Sequence, residues 1–437
     1  MFKLFNLSLK LSGFPIEESK KQFDKILSIP ESDYEQFIEN QKAEIVAFHL
    51  QNNLFYQKLN SLKTFENWND LPILTKKDLQ KPLIERLSNG YSEKQVFVNK
   101  TSGSSGDPFI FAKDKPCHAL TWASIIHRFG WFGIDFNSSY QARFYGIPLD
   151  FIGNKKERLK DFLSQRYRFT IFDLSDQILE GFLKHFRTKK FDYINGYTSS
   201  IVLFAKFLQQ KNLILKDVCP SMKVCIVTSE MLFEEDKLLM ETQFGVPVVN
   251  EYGASELDLI AFQNTKDEWQ VNAETIFVEI LDENNQPVPN GTEGKIVITS
   301  LYNKAHPFIR YDIGDIGILD ERSTFKKPIL KKLIGRTNDI AILPSGKKSP
   351  GLTFYYVTKS IIENDGNVKE FVVIQNKIDT FEIQYVSEKE LTKVEIQKIQ
   401  KAISTYLESG LHFSFTRKEV LTRNKSGKLK QFVSLLK

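Results

Sequence analysis

Cysteine is scarce in this chain of 437 residues, which has only Cys117, Cys219 and Cys225. They form no Cys-x-x-Cys pair and no histidine stands at metal-ligand spacing from them, which excludes a disulfide framework and a typical zinc site. The sequence also lacks a run of about 18 apolar residues, and its start lacks the apolar core and cleavage site of a signal peptide. These absences predict a cytoplasmic protein without a membrane span.

Two common catalytic motifs are absent as well. The six histidines form no His-Glu-x-x-His pattern, and there is no Gly-x-Ser-x-Gly elbow, so metalloprotease and serine-hydrolase functions lack support. His306 precedes Pro307 just before Arg310, and we favour a structural role over substrate contact for it.

Excess charge of one sign is small, with 59 Lys and Arg against 54 Asp and Glu and a net charge of +5. The segment from Arg336 to Lys437 holds 17 basic and 11 acidic residues, so the basic excess lies there. Such a segment suits either a nucleic-acid surface or a small domain that closes over an anionic substrate. The motifs below favour the second alternative, and we predict no nucleic-acid partner.

Hydrophobic residues make up 41% of the chain and Phe supplies 36 positions, enough for a large core and two or three domains. The pattern predicts an α/β domain over 1–335 with mixed sheets and helices, and a small α+β domain over 336–437. Thr75, with Asp78 three residues later, predicts a helix start. Other predicted helices cover 31–62, 199–210 and 393–407, and predicted strands cover 95–99, 223–228, 246–249, 275–281, 294–300, 369–375 and 381–386.

Polar residues suited to phosphate follow the first predicted strand. The loop reads Thr-Ser-Gly-Ser-Ser-Gly-Asp-Pro over 101–108, where glycines permit close backbone approach and hydroxyl and N–H groups donate. No Lys follows the second Gly, so it is not a P-loop. By itself the loop is equally compatible with a surface turn.

Four further motifs carry candidate chemistry. Asn-Glu-Tyr-Gly-Ala-Ser-Glu over 250–256 follows an apolar strand and combines an aromatic ring with a carboxylate. Arg310 precedes Asp315, whose carboxylate could accept hydrogen bonds from a pair of ribose hydroxyls. Arg310 could pair with Asp315 or with a phosphate. Gly335-Arg336 stands at the predicted domain boundary, and Lys-Ser-Gly-Lys over 425–428 lies near the C-terminus. Each alone also fits an ordinary surface segment.

The order and spacing of the five motifs, from Leu71 to Lys430, resemble the adenylate-forming ligase superfamily, in particular its branch of phenylacetate-CoA ligase-like and capsular-polysaccharide-synthesis-like proteins. The resemblance implies a large N-terminal domain and a C-terminal lid that rotates between two half-reactions. It implies catalytic Lys428 and Glu256, the latter holding Mg²⁺ on ATP. It further implies nucleotide binding by Thr101, Ser102, Gly103, Ser104, Ser105, Gly106, Ser229, Glu230, Glu251, Tyr252, Gly253, Asp315 and Arg336, and substrate binding by Tyr145, Gly146, Asn195, Tyr197 and Ala254.

This chain departs from the family pattern at two places. The family commonly has Asp or Lys two residues after the hinge arginine. This chain has Asn338 there and Asp339 next, so either residue could be the pivot. The stretch Leu343-Pro-Ser-Gly346 differs from the one that helps place coenzyme A, so coenzyme A is one candidate acceptor among several. The aromatic residues Tyr145 and Tyr197 fit either a substrate pocket or a packed core.

The sequence thus predicts an ATP-dependent ligase that converts a carboxylic acid to an acyl-AMP. The acyl group then passes to a thiol, of coenzyme A or a carrier protein, or to an amine, of an amino sugar or amino acid, in surface-polysaccharide or secondary-metabolite synthesis. The alternative is an inactive nucleotide-binding relative that serves as a scaffold or sensor. The acid, the acceptor and the choice between monomer and homodimer are not specified by the sequence.

Overall fold

The computed structural model divides the chain into two units. The first comprises residues 1–313 and 317–332, and the second comprises 314–316 and 333–437. The functional assignment of 1–335 and 336–437 as two domains stays a prediction. The structure describes residues 4–59, 67–101, 109–145, 151–171, 174–336, 340–346, 348–350, 368–406, 408–423 and 429–436.

A seven-stranded mixed sheet, in the order β4-β3-β5-β6-β7-β8-β9, is the largest sheet of the first unit. The pairs from β4 to β7 are parallel and those from β7 to β9 are antiparallel. Every residue of β6 is buried, as expected for a strand covered on both faces. The strands are β3 (Gln141–Phe144), β4 (Arg166–Phe169), β5 (Tyr193–Tyr197), β6 (Val224–Thr228), β7 (Val248–Ala254), β8 (Asp258–Gln263) and β9 (Trp269–Val271).

Helices cover both faces of this sheet. One side of α8 faces the core, because its apolar residues recur at helical spacing. These residues are Leu179, Phe182, Leu183 and Phe186. There Phe186 stacks on Phe169 of β4, with ring centroids 5.4 Å apart. Helix α6 contributes to the core on the other face. These helices are α6 (Lys115–Gly130), α7 (Phe151–Leu163), α8 (Asp176–Thr188), α9 (Thr198–Gln210), α10 (Leu215–Val218) and α11 (Glu234–Phe244).

The N-terminal part of the first unit is helical. Phe23 of α2 packs against Leu120 and Ala123 of α6, and Tyr34 and Ile38 of α3 pack against residues beside the second sheet of this unit. The elements are α1 (Leu4–Leu11), α2 (Ile16–Ser28), α3 (Glu31–Asn52), α4 (Leu54–Leu59), a 3-10 turn (Trp68–Asp70) and α5 (Leu83–Arg86).

Two smaller sheets precede the C-terminal part of the chain. Strands β1 (Phe97–Lys100) and β2 (Ile110–Lys113) form an antiparallel hairpin. A four-stranded sheet has the order β10-β11-β12-β13, in which β10 and β11, two of the predicted strands, pair antiparallel. Its strands are β10 (Ile276–Leu281), β11 (Glu293–Ser300), β12 (Tyr311–Leu319) and β13 (Leu330–Arg336).

The second unit contains another four-stranded sheet, in the order β18-β17-β16-β19. Its central pair is antiparallel and the two outer pairs are parallel. Buried and half-buried positions alternate in β17, which indicates that one face packs on a core. The elements are β14 (Ile340–Ile342), β15 (Lys348–Pro350), β16 (Val368–Lys377), β17 (Thr380–Ser387), α12 (Lys393–Tyr406), β18 (His412–Arg417) and β19 (Phe432–Ser434).

The α/β fold class and most predicted elements are confirmed, but the helix predicted from Thr75 is wrong. Thr75 and Asp78 do make the expected reciprocal hydrogen bonds, yet only one turn follows. Pro82 explains this, because it cannot donate a backbone hydrogen bond and disfavours a helical conformation at Lys81. In the part of the chain that the structure describes, no helix is long and apolar enough to cross a bilayer.

Gly196 of β5 allows close pairing with β3, because a Cβ at this position would collide with the Phe144 carbonyl oxygen and side chain. We expect Gly196→Ala to lower the free energy of unfolding by about 1–3 kcal/mol. Gly181, inside α8, faces open space, so the matched Gly181→Ala change should raise stability by about 1 kcal/mol. Urea denaturation of both variants measures this; equal effects would contradict the close approach.

Candidate active site

Three neighbouring parallel strands end side by side at one edge of the seven-stranded sheet. The register pairs Tyr197 of β5 with Thr228 of β6, and Thr228 with Glu251 of β7. Side chains at paired positions lie on the same face, and open α/β sheets bind ligands outside the carboxyl ends of their strands. The structure therefore brings together the predicted site segments around Tyr197, Ser229 and Glu251.

Glu256 lies in the tight turn between β7 and β8, which the Leu257 amide closes by donating to the Ala254 carbonyl oxygen at 3.1 Å. The Glu256 side chain is 8% exposed, and its Oε1 accepts a hydrogen bond from the Tyr311 hydroxyl at 3.1 Å. Among the described residues, none donates to its Oε2. The turn thus presents a carboxylate that is fixed through one oxygen and available through the other.

Glu230 follows β6 at the same sheet edge and supports the start of α9. Its Oε2 accepts a hydrogen bond from the Ser199 amide at 2.7 Å, where an acidic group is favoured by the partial positive charge of a helix N-terminus. The preceding Ser229 has a φ of +71°, which turns the chain sharply after the strand. This pair therefore joins the ends of β6 and β5.

Tyr252 and Gly253 occupy the last part of β7. The Tyr252 ring is 8% exposed and meets Trp269 of β9 edge to face, with centroids 5.8 Å apart. A Cβ on Gly253 would lie 2.6 Å from the carbonyl oxygen of Asp258, so the β7–β8 approach requires glycine. Tyr252 is the predicted adenine contact, and its ring packs within the sheet on the face opposite Glu251.

The aromatic residues assigned to the acyl side also meet at the sheet edge. The Tyr145 and Tyr197 rings are 4.6 Å apart, and Asn195 is held by Gln141, whose Nε2 donates to its Oδ1 at 3.3 Å. Burial raises the pKa of Tyr145. These residues border the carboxyl edge of the sheet and also pack against the core. The structure is therefore compatible with both a substrate pocket and a packed core.

The predicted phosphate loop connects the two strands of the β1–β2 hairpin. Thr101 closes the base of the loop: its amide donates to the Phe109 carbonyl oxygen, and the Phe109 amide donates to its hydroxyl, both at 3.0 Å. At the far end of β2, Lys113 forms an ion pair with Asp258, two residues beyond Glu256. The hairpin is therefore tied directly to the turn that carries Glu256.

A buried polar network holds this hairpin from behind. Arg86, 1% exposed, donates through Nη2 to the Ile110 carbonyl oxygen at 2.6 Å and through Nη1 to His306 Nε2 at 2.5 Å. Asn303 donates to the Ala112 carbonyl oxygen at 2.9 Å, and its own carbonyl oxygen accepts from His49 Nε2 at 2.9 Å. The structural role predicted for His306 is consistent with this position.

Arg310 does not have the predicted partners. Its Nη1 donates to the carbonyl oxygens of Asn69 and Leu71 at 2.9 and 3.1 Å, and its Nη2 lies 3.3 Å from Glu279 Oε1. The side chain is 1% exposed, so these protein groups enclose it. The sequence could not reveal this, because Glu279 lies on a different strand of the sheet.

The remaining predicted site residues fall in the second unit or outside the described residues. Asp315 lies in β12, belongs to the second unit and is 4% exposed. Arg336 ends β13. The predicted residues Ser102, Gly103, Ser104, Ser105, Gly106, Gly146, Asn338, Asp339 and Lys428 lie outside the described residues.

Glu256 has the chemistry that a nucleotide-bound Mg²⁺ requires. This ion usually keeps several waters and takes one or two protein carboxylates. Glu256 supplies one carboxylate oxygen without a donor among the described residues, while Tyr311 fixes the other. The position and donor type therefore fit a single protein ligand to a metal on ATP.

No protein-family model matches the sequence. Protein CapK of Staphylococcus aureus is 23% identical over 427 residues, which cover 92% of this chain and 90% of that protein. Phenylacetate-coenzyme A ligase of Pseudomonas putida is 23% identical over 367 residues, covering 80% of each. The ligase of the same name from Aromatoleum evansii is 30% identical over 128 residues, 28% of this chain and 29% of that protein.

Solved structures share the fold along most of the chain. A 2-hydroxyisobutyryl-CoA ligase in the postadenylation state has a TM-score of 0.71 at 15% identity, covering 93% of this chain and 90% of that one. The chain therefore shares the fold of this ligase. Amide bond synthetase McbA from Marinactinospora thermotolerans has a TM-score of 0.53 at 13% identity, covering 77% of this chain and 68% of that one.

The sequence did not identify several residues that support the candidate site. Tyr311 stands beside Arg310 in the predicted motif, but nothing in its spacing indicates Glu256, 55 residues earlier. Lys113 and Asp258 are likewise 145 residues apart. The only local signal is a lysine at the end of a strand that follows the loop over 101–108, which places a cation near the proposed phosphate site.

The buried histidines predict a loss of stability in acid. Burial lowers the pKa of His49 to about 4 and that of His306 well below its ordinary value, whereas histidine in the unfolded chain has a pKa of about 6.5. The unfolded state therefore binds more protons between these values. We expect the free energy of unfolding to fall as the pH is lowered from about 6.5 to about 4.

A His49→Gln variant tests the assignment, because glutamine can still donate to Asn303 but does not titrate. Its unfolding free energy, from denaturant titrations at several pH values, should depend less steeply on pH than that of the wild type. His412 is exposed, so His412→Gln is the control for the same substitution outside the buried network. Identical slopes for His49→Gln and the wild type would contradict the prediction.

Proposed function

We propose that this protein is an AMP-forming ligase that activates a carboxylic acid with ATP and transfers the acyl group to a thiol or an amine. The observation that carries the proposal is the fixed Glu256 carboxylate beside the carboxyl edge of β5, β6 and β7, tied through Asp258 and Lys113 to the hairpin with the phosphate-type loop. The superfamily fold over 93% of the chain supports it.

The first half-reaction joins the acid to the nucleotide. A carboxylate oxygen of the acid attacks the α-phosphorus of ATP, the new P–O bond forms, and pyrophosphate leaves with the electrons of the broken bond. Mg²⁺ would neutralise charge on the phosphates, with Glu256 as its protein ligand. We assign Lys428 to the developing charge on the α-phosphate and the acid.

The nucleotide contacts are assigned by position. The loop over 101–106 binds phosphate through its amides and hydroxyls, Tyr252 and the segment 229–230 border the adenine, and Asp315 and Arg336 bind the ribose. The second unit serves as the lid that brings Lys428 to the reaction. In the second half-reaction the acceptor attacks the acyl carbonyl and AMP leaves.

The acceptor and the pathway are also part of the proposal. The relatives include coenzyme A ligases and an amide bond synthetase, so coenzyme A, a carrier-protein thiol and an amine are the three acceptors to compare. We propose a place in surface-polysaccharide or secondary-metabolite synthesis, where an activated acyl group is attached to a sugar or amino acid.

Pyrophosphate exchange tests the first half-reaction. With Mg²⁺ and pooled aryl, fatty, amino and hydroxy acids, the wild type should exchange labelled pyrophosphate into ATP in a manner that depends on one pool. Lys428→Ala should reduce exchange by about 100- to 1,000-fold, because it removes a group that stabilises the transition state. ATP binding, measured by calorimetry, should remain. Exchange unchanged in Lys428→Ala would remove the role assigned to that residue.

Tyr311→Phe isolates the support given to Glu256. The ring contact with Phe308, at 5.4 Å between centroids, is retained, while the hydrogen bond to Glu256 is lost. We expect the KM for Mg·ATP in the exchange reaction to rise about 3- to 10-fold, as for the loss of one hydrogen bond, with little change in melting temperature. Tyr91→Phe, a half-buried tyrosine elsewhere in the first unit, is the control; the same KM in all three proteins would argue against this contact.

A further inference from the structure

Arg143 of β3 carries a guanidinium group without a hydrogen-bonding partner in the described chain. Its Cζ lies 4.2 Å from the centroid of the Tyr145 ring, and its Nε is buried with no acceptor. Among the residues that the structure describes, none accepts a hydrogen bond from it. The side chain is half-buried, so the cost of an unpaired buried donor falls on Nε, while the two terminal nitrogens stay open to a further acceptor. This arrangement leaves room for a polar group supplied from outside the chain.

The guanidinium lies beside the carboxyl edge of the sheet. Tyr197, Thr228 and Glu251 occupy one face at the last paired positions of β5, β6 and β7, and the Tyr145 ring lies 4.6 Å from that of Tyr197. Arg143 pairs with Asn195, two residues before Tyr197, so it lies on the same face one side chain further back. Its position over Tyr145 brings its positive charge forward to this row. The cation therefore faces the place where an acyl group would enter.

Glu251 provides the complementary group. The Thr228 hydroxyl donates to its carboxylate, and the Arg143 charge acts on it, yet burial keeps its pKa above the ordinary value. Arg143 and Glu251 form no ion pair among the described residues. Each therefore retains hydrogen-bonding capacity toward a third polar group between or beside them.

The next strand shows how this sheet neutralises an arginine when no ligand is involved. Arg168 of β4, which pairs with Arg143 in the register, donates through Nε and Nη2 to Asp161 and through Nη2 to Glu157, all at 2.9 Å. Both carboxylates come from α7. The contrast between two paired arginines, one saturated and one unpaired, points to a binding function for the second.

We propose that Arg143 and Glu251 select an acid that carries a second oxygen, a hydroxyl or a further carboxylate, remote from the carboxyl group that reacts. The proposal rests on the function proposed above and names the substrate class of that site. Arg143 donates to the remote oxygen through its N–H fork, and Glu251 accepts a hydrogen bond when that oxygen is a hydroxyl. The Tyr145 and Tyr197 rings line the apolar part of the acid. Plain alkyl and aryl acids leave the guanidinium unpaired.

The test compares acids matched in carbon skeleton: hexanoate with 6-hydroxyhexanoate and adipate, and phenylacetate with its 4-hydroxy and 4-carboxy forms. In pyrophosphate exchange, the wild type should favour an oxygen-bearing member at least about tenfold in kcat/KM. Arg143→Met should lower kcat/KM for the oxygen-bearing acid about 10- to 100-fold. The kcat/KM for the unsubstituted acid and the KM for ATP should stay nearly unchanged. Glu251→Gln distinguishes hydroxy acids from dicarboxylic acids. It should lower kcat/KM for the hydroxy acids and raise it for the dicarboxylic acids.

Arg168→Met is the matched control, since it removes a saturated arginine from the paired position. It should lower the melting temperature without changing the preference among acids, and Arg143→Lys, which keeps the charge, should retain part of the preference if Arg143→Met folds poorly. A wild-type preference for unsubstituted acids, or an equal loss for every acid in Arg143→Met, overturns the inference and leaves the proposed function standing. No exchange with any acid overturns the proposed function itself.

Discussion

The parallel pairing of β3, β5, β6 and β7 is the constraint on which the candidate site depends. Because the strands run in the same direction and in fixed register, their ends place side chains from positions 197, 228 and 251 in one row. A shift of one residue in any pair would turn the corresponding side chain to the opposite face. The covered faces of this sheet, with aromatic residues on one side and α6 on the other, fix that register.

The second requirement of the site is a hairpin held at a fixed place relative to the β7–β8 turn. Short hairpins are only marginally stable by themselves. Here Arg86 and Asn303 bind carbonyl oxygens of β2, while Lys113 pairs with Asp258. Burying these polar groups is unfavourable unless each has a partner. The polar network thus fixes the position of the hairpin, at a cost in stability compared with an apolar core.

Sequence patterns predicted the parts of the fold that depend on local periodicity. The buried strand β6 and helix α9 agree with the prediction within a residue, because their apolar spacing is set by the face they bury. The extent of β7 was underestimated, since Asn250 to Ala254 are polar or small and continue the strand only because β6 and β8 pair with them. The turn at Thr75 shows the reverse case, in which a good local signal is overruled by a nearby proline.

The candidate site was predicted by residue type and order more than by contact. The motif around Glu256 is visible in the sequence, but its partner Tyr311 is not. For Arg310 the sequence left Asp315 and a phosphate open, whereas the structure pairs it with Glu279 and backbone carbonyl oxygens. Pairings of this kind join residues far apart in the chain. They depend on the order in which strands meet in the sheet, which a single sequence does not display.

The three thiols make a reporter that needs no engineering. Cys225, the second residue of β6, is fully buried. Cys117 and Cys219 are 7% and 2% exposed. Burial also raises the pKa of Cys117 and Cys225, so little reactive thiolate is present in the native state. Alkylation of Cys225 therefore requires the central sheet to open, and its rate under native conditions would follow the frequency of that opening.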